Sequence, residues 1–283
     1  MNIHLPAQSK QSLGGGWTFR RTFEKYALRA GVGITAADQA DVILISGATM
    51  VSHEDVAKWK SEGKKIVLRV DNIPRNSRNR NTGTSRLHAF AGMADLVVYQ
   101  SQWAKQYIGP FLSDVDKSHG PVILNGADPE IFYPGGPKAA KKGSPQYMFC
   151  QFNRDETKQW HVAWYDYIMA QRQNPNAHLR LVGQFSPEHI EYNFDFFGGE
   201  KFEYVGVVET PEAMADLMRA TDILLLPYFN DACSNTLIEA RLCGVPQIVH
   251  NGTGGTAEIM AASLDRLRAD WMVREYLEEM GRI

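Results

Sequence analysis

The chain has 283 residues, 44% of them apolar and 22% charged, with a formal net charge of −2. That length supports a full hydrophobic core and makes two compact domains a better expectation than one. The balanced charge, and the absence of any apolar run near the roughly 18 residues of a membrane span, exclude a globally basic nucleic-acid binder or a helical membrane protein; such a partner would have to be met locally.

The opening Met1-Asn2-Ile3-His4-Leu5-Pro6 lacks the charged region and longer apolar stretch of a signal peptide and reads as a first strand. Three cysteines, Cys150, Cys233 and Cys243, fit neither a disulfide framework nor a four-ligand zinc site. A cytoplasmic protein is the expectation. Apolar runs of strand length follow at 42–46, 66–70, 96–100 and 122–124, separated by amphipathic stretches such as 17–30 and 52–61. Continuous apolar strands, rather than strict alternation, predict a parallel sheet covered on both faces, so residues 1–132 form a doubly wound α/β domain.

Residues 133–145 are rich in Pro, Gly and Lys, leave nothing to bury and read as a linker. The rhythm then resumes over 146–260: strands at 146–151, 179–183, 223–227 and 247–250, helices at 159–173, 211–220 and 235–243. The last stretch, 261–283, is charged and helix-favouring, a segment that could pack back on the first domain.

Leu224-Leu225-Leu226-Pro227 ends a strand, 228–234 is a polar turn, and a helix runs from Asn235 until Gly244-Val245-Pro246 stops it. In a parallel sheet that edge is where ligands bind. Free amides at the helix start, with the hydroxyls of Ser234 and Thr236, suit a diphosphate, and Glu239 one turn on could accept hydrogen bonds from ribose hydroxyls. On spacing alone, Ser234 or Asn235 capping the helix and Glu239 on a solvated face explain the pattern equally well.

The run Pro227-Tyr228-Phe229-Asn230-Asp231-Ala232-Cys233-Ser234-Asn235-Thr236-Leu237-Ile238-Glu239-Ala240, then Gly244-Val245-Pro246 and Gly254-Gly255-Thr256-Ala257-Glu258, resembles the signature of retaining GT-B glycosyltransferases of family four (glycosyl transferases group 1). In that family two acids stand eight positions apart, before Gly-x-Pro and a Gly-Gly-x-x-Glu turn. The resemblance implies two Rossmann-like domains facing a cleft. It also implies that Glu239 holds the donor ribose, Asp231 faces the sugar hydroxyls, and amides around Ser234, Asn235 and Thr236 bind the diphosphate. Asp231 replaces the family's usual glutamate, and a carboxylate one methylene shorter puts the choice of sugar in question.

Three further stretches extend the resemblance. Ile123-Leu124-Asn125-Gly126-Ala127-Asp128-Pro129-Glu130-Ile131-Phe132 resembles the segment closing the first domain, although Asn-Gly is by itself simply a turn. In Asn153-Arg154-Asp155-Glu156-Thr157-Lys158 the family supplies an arginine and a lysine to the phosphates. That implies Arg154 and Lys158, unless the loop instead makes an exposed ion pair with Asp155 or Glu156. Gly14-Gly15-Gly16-Trp17 lies between a strand and a helix, where Gly15 and Gly16 permit close backbone approach to a phosphate. Asp71 stands where the family often has a histidine. It either hydrogen-bonds the sugar or orients an acceptor hydroxyl, or it caps a turn.

From 69 to 86 run five arginines, at 69, 75, 78, 80 and 86, against Asp71 alone. Such a polar run is not expected to fold on its own. On the acceptor side of the resemblance, Arg75, Arg78 and Arg80 suggest an anionic acceptor, a phosphorylated lipid head group, an acidic glycan or nucleic-acid phosphates, against the alternative of a solvated loop. The expected reaction is sugar transfer from a nucleoside diphosphate sugar, with no cofactor and no essential metal, since no Asp-x-Asp pair occurs. Rivals are a phosphorylase or epimerase on the same fold, a sugar-nucleotide or glycan-binding module without activity, and an enzyme whose acceptor is a hydroxylated DNA base. No stable nucleic-acid complex is expected, and peripheral membrane contact is compatible with the arginines.

Overall fold

Strands and helices interleave along the described residues of the computed structural model, which are 1–6, 15–71, 80–112, 120–153, 155–185 and 201–283, side chains of 80–83 excepted. In chain order the described elements are β1 (Asn2–His4), α1 (Gly15–Arg29), β2 (Gly33–Ile34), β3 (Val42–Ile45), α2 (His53–Ser61), β4 (Lys65–Val70), α3 (Arg80–Met93), β5 (Leu96–Tyr99) and α4 (Gln102–Ile108). There follow β6 (Gln146–Phe149), α5 (Trp160–Gln173), β7 (His178–Val182), β8 (Phe202–Gly206), α6 (Pro211–Arg219), β9 (Ile223–Leu226), α7 (Asn235–Leu242), β10 (Gln247–His250), α8 (Thr256–Ala261) and α9 (Ala269–Met280).

The chain divides into two units. The first comprises Met1–Asp128, Ala232–Asn235 and Ala257–Ile283; the second comprises Pro129–Asp231 and Thr236–Thr256. Each contains one five-stranded parallel sheet, the Rossmann-like architecture expected from the sequence.

In the first unit the strand order is β2-β1-β3-β4-β5. Side chains of a strand alternate between faces, and β3 shows why its run is apolar throughout. Ile43 and Ile45 join Ile66, Leu68 and Val70 in a core against Val56, Trp59, Leu87 and Phe90 of α2 and α3. Val42 and Leu44 point the other way, into a core with Phe19 and Phe23 of α1 and Met272, Tyr276 and Met280 of α9. The charged C-terminal stretch is therefore half core. The segment after β5 seats α9: Ala127 pairs with Arg268 in a parallel bridge, and a Cβ on Gly126 would lie 2.6 Å from the Arg268 carbonyl. Asp128 takes hydrogen bonds from Lys25 at 2.5 Å and Tyr26 at 2.7 Å, anchoring α1.

Several sequence expectations are corrected. Residues 122–124 make a single parallel bridge, Tyr99 with Val122, rather than a strand. Arg69 belongs to β4 and is 1% exposed, so it is no part of a basic loop. The end of the arginine run is helical, because Leu87, Phe90 and Ala91 give α3 a buried stripe at helical spacing.

The proposed linker is held down on the second unit. The buried Arg219 guanidinium donates to its Tyr133 and Pro137 carbonyls and to that of Ile131 just before it. Lys141 pairs with Asp222 and Lys142 with Glu203. The division between the units falls at Asp128/Pro129, four residues before the boundary read from composition. Among the described residues no helix is long and apolar enough to cross a membrane.

Candidate functional site

The second sheet has the order β10-β9-β6-β7-β8, so the strand order reverses between β6 and its neighbour β9. Connections leaving those two strands diverge to opposite faces and open a crevice at their carboxyl ends. The loops that follow them carry Lys158 and Asp231. The Lys158 ammonium donates to Asp231 Oδ2 at 2.6 Å, with side chains 12% and 16% exposed, and lies 4.3 Å from the centre of the Tyr228 ring.

Local chemistry fixes both ends of this pair. Asp155 caps the turn Glu156–Lys158 by accepting from the Thr157 amide and hydroxyl, and the Phe229 amide donates to the Thr157 carbonyl at 2.7 Å. Lys158 thus pairs across the loops with Asp231. Arg154 lies outside the described residues.

The turn after β10 clamps the Asp231 loop from the other side. Thr253 Oγ1 donates to the Tyr228 carbonyl and accepts from the Asn230 amide, while Asn251 Nδ2 donates to the Pro227 carbonyl. The Gly255 amide donates to the Asp231 carbonyl at 2.8 Å. Gly254 has φ +66°, and a Cβ there would lie 2.2 Å from the Asp231 carbonyl oxygen. The paired glycines of the motif are what lets the turn lie directly on that backbone.

Glu239 is part-buried on α7. Its carboxylate has no hydrogen-bond or ion-pair partner among the described residues, and loss of water pushes its pKa from the ordinary 4.5 up to about 8. The neighbouring Tyr228 phenol is buried, donates to the Cys150 carbonyl at 2.8 Å and is hydrogen-bonded by the Thr236 side chain. Thr236 and Ser234 are 6% and 5% exposed. The Thr236 hydroxyl, read from the sequence as a phosphate ligand, is therefore engaged with Tyr228. The first backbone amides of a helix have no intrahelical acceptor.

In the first unit Gly15 and Gly16 open α1. Gly16 is buried, with room for no Cβ, since one would lie 2.8 Å from Met50 Sδ. Asp71 follows β4, its side chain 39% exposed and 3.5 Å from Arg69 Nη1. Arg69 also donates to the Ser46 carbonyl at 2.6 Å, Gln100 Oε1 at 2.7 Å and Asn125 Oδ1 at 3.1 Å. Asn125, read from the sequence as a turn residue, is 4% exposed and donates to Asn235 Oδ1 at 2.9 Å. Arg75, Arg78 and the Arg80 side chain lie outside the described residues.

Glu258 has a role that the sequence reading left open. Its two carboxylate oxygens accept from the Gln102 and Trp103 amides at 2.7 and 2.8 Å, completing the N-terminus of α4, where Ser101 caps only Ala104. The signal in the sequence was the helix start itself, which leaves orphan amides for some acceptor. Trp103 and Tyr107 stack on one another at 5.1 Å.

Comparison with known proteins agrees with this fold. No curated protein sequence matches the chain. Over the whole chain the fold is similar to that of HepE from Anabaena, solved in complex with UDP and glucose, at 13% identity and a TM-score of 0.70, covering 100% of this chain and 99% of that one. It is likewise similar to AviGT4, a glycosyltransferase involved in avilamycin A biosynthesis, at 14% identity and a TM-score of 0.70, covering 99% and 97%. Sucrose-phosphate synthase from Thermosynechococcus elongatus aligns at 16% identity and a TM-score of 0.59, covering 98% and 80%. The family described as glycosyl transferases group 1 matches residues 149–280, which contain Lys158, Asp231, Glu239 and the Gly254–Gly255 turn. That match spans a little under half of the chain, and the two parallel-sheet halves have the GT-B fold.

Proposed function

We propose that this protein transfers a sugar from a nucleoside diphosphate sugar to an acceptor hydroxyl with retention of anomeric configuration. The observation that carries the reading is the meeting of Lys158 and Asp231 at the strand-order reversal of the second sheet, inside the family-matched segment. A cation there stabilises charge developing on the leaving phosphate oxygen, as do the first amides of α7. Glu239, a desolvated carboxyl group without a protein partner among the described residues, is suited to two adjacent ribose hydroxyls, whose hydrogen bonds favour its ionised form. Asp231, once Lys158 turns to phosphate, accepts from sugar hydroxyls. An oxygen of the leaving phosphate takes the proton of the acceptor, so no protein base is required.

In this reading the protein cation and helix amides replace a metal ion. Excess chelator leaves the rate unchanged; complete loss would overturn this part. The acceptor is taken to be anionic, which rests on Arg75, Arg78 and Arg80 of the sequence. Its test is a transfer rate that falls steeply with added salt.

The deciding experiment is a thermal-shift screen against nucleoside diphosphates and their sugars, because a ligand of the folded state raises apparent stability. The expected result is stabilisation by one base and one sugar above the rest, followed by product of unchanged anomeric configuration with an added acceptor. A protein that none of these ligands stabilises would not be a transferase of this kind.

A further inference from the structure

Among the described residues, three that are not glycine have left-handed backbones: Gln151 at φ +61°, Gln159 at +54° and Asn230 at +51°. A side chain makes that conformation costly, less so for Asn, whose short amide is tolerated there. All three lie in the second unit, in the two loops that leave β6 and β9. Gln159 directly follows Lys158, and Asn230 directly precedes Asp231. Helix α5 gives up a cap for this arrangement: the residue before it is Gln159, which makes no side-chain capping bond, where an extended Ser, Thr, Asn or Asp is the favoured choice. Backbone in a sparsely populated region persists only where its surroundings fix it, and such positions gather at functional sites. The Gln159 carbonyl accepts from the Val162 and Ala163 amides at 3.0 and 3.3 Å, and its Nε2 donates to the Glu156 carbonyl at 2.6 Å. The Asn230 amide donates to Thr253 Oγ1 at 3.1 Å, and the Phe229 amide joins the two loops through the Thr157 carbonyl at 2.7 Å.

We infer that Gln159 and Asn230 are positioning residues, whose left-handed backbones hold Lys158 and Asp231 in the directions that a bound nucleotide sugar needs. The inference rests on the donor-site reading above and adds to it the residues that set the aim of its ion pair. Lys158 stands between Thr157, tied to the other loop, and the left-handed Gln159; Asp231 stands between the left-handed Asn230 and its own carbonyl, which accepts from the Gly255 amide at 2.8 Å. Each charged residue is therefore fixed from both sides along the chain. Glycine would take the same φ without steric cost, but it would also open the rest of the backbone map to these loops. A side chain in the left-handed well has only a narrow range of φ and ψ, so the turn is held as well as made.

The test uses the whole chain and reads titration calorimetry with UDP, ADP, GDP and their glucose conjugates beside thermal unfolding. Gln159→Gly and Asn230→Gly keep the left-handed turn without its steric cost, so the melting temperature holds or rises. Expected in each is an affinity lower by about tenfold or more for the probe that binds wild type, because ordering the loop now falls to the binding step. Gln159→Asn keeps a Cβ, accepts the left-handed well and is too short to repeat the bond to Glu156; it is expected to recover most of the affinity that Gln159→Gly loses. Chain routing alone needs only the left-handed φ, which glycine supplies. Wild-type affinity in one folded glycine variant therefore removes that residue from the inference, and in both overturns it. An equal loss in Gln159→Asn and Gln159→Gly also overturns the part of Gln159, since it assigns the effect to the bond with Glu156. If one glycine variant does not fold, the other decides; failure of both makes the two residues structural and overturns the inference. Should wild type bind none of the probes, the donor-site reading falls, and this inference with it.

Discussion

The Lys158 ammonium and the Asp231 carboxylate stand 2.6 Å apart, one from the loop after β6 and one from the loop after β9. Both side chains are largely out of water, so either charge left alone is costly. In the proposed function a diphosphate takes Lys158, and the hydroxyls of a sugar donate to Asp231 in its place. Intact nucleotide sugar is expected to bind more tightly than the bare diphosphate.

Lys158→Met lowers nucleoside diphosphate affinity by about tenfold or more, the cost of one charge-assisted bond. Asp231→Asn is expected to leave that affinity equal or improved, because Lys158 is released, while the transfer rate falls by roughly a hundredfold. Calorimetry with the diphosphate and steady-state rates with the sugar nucleotide separate the two. Equal losses of diphosphate affinity in both variants would contradict the division of roles.

Glu239 makes stability depend on pH. Its folded pKa, about 8, lies above the ordinary 4.5, so between those values the fold holds a proton that the unfolded chain has released. Stability then falls as pH rises through this window, and the penalty is complete above pH 8. Glu239→Gln carries no such penalty. It is expected to melt several degrees above wild type at pH 9 and close to it below pH 4.5. Wild type is expected to prefer ribo- over 2′-deoxyribonucleotides by titration, and the same variant is expected to lose that preference.

At Gly254 both φ and space forbid a side chain. Gly254→Ala costs about 2 kcal/mol or more by denaturant unfolding. It also moves the Asp231 backbone, so donor affinity drops even when the protein is held well below its melting temperature. Gly252, with φ +74° and open space around its Cβ position, is the control: its alanine variant pays for backbone conformation only.

Glu258→Ala removes the acceptor of two amides at the start of α4. Hydrogen exchange at Gln102 and Trp103 accelerates while that of the β4 and β5 amides is unchanged, and stability falls by about 1 kcal/mol. Unaltered exchange at those two amides would deny Glu258 its capping role.

Much of the architecture was legible because buried parallel strands announce themselves: Val42–Ile45 and Ile223–Leu226 must be apolar on both faces, which gives short continuous apolar runs. The two-residue β2 and the edge strand β8, with Glu203 and Tyr204 in its run, carry too little of that signal. α3 was hidden by arginines and asparagines that drew attention away from Leu87, Phe90 and Ala91. Lys158, Asp231 and Glu239 were singled out by resemblance to a family motif, while spacing alone left a helix cap and a solvated face as equal explanations. The pairing of Lys158 with Asp231 was not legible, since the two are 73 residues apart and only strand order brings them together. The contacts of Asn125 were hidden for the same reason: its partners Gln100 and Asn235 lie 25 and 110 residues away, and an Asn-Gly pair explains itself locally as a turn.

Helix α9 fills the first core with Met272, Val273, Tyr276 and Met280. A ribosome therefore delivers the first unit's opening strands long before the side chains that close one of its two faces. The second unit has all its residues once position 256 is made. Domains usually complete in order of synthesis; here the half begun first is closed after the second, and one face of its sheet has to wait for α9.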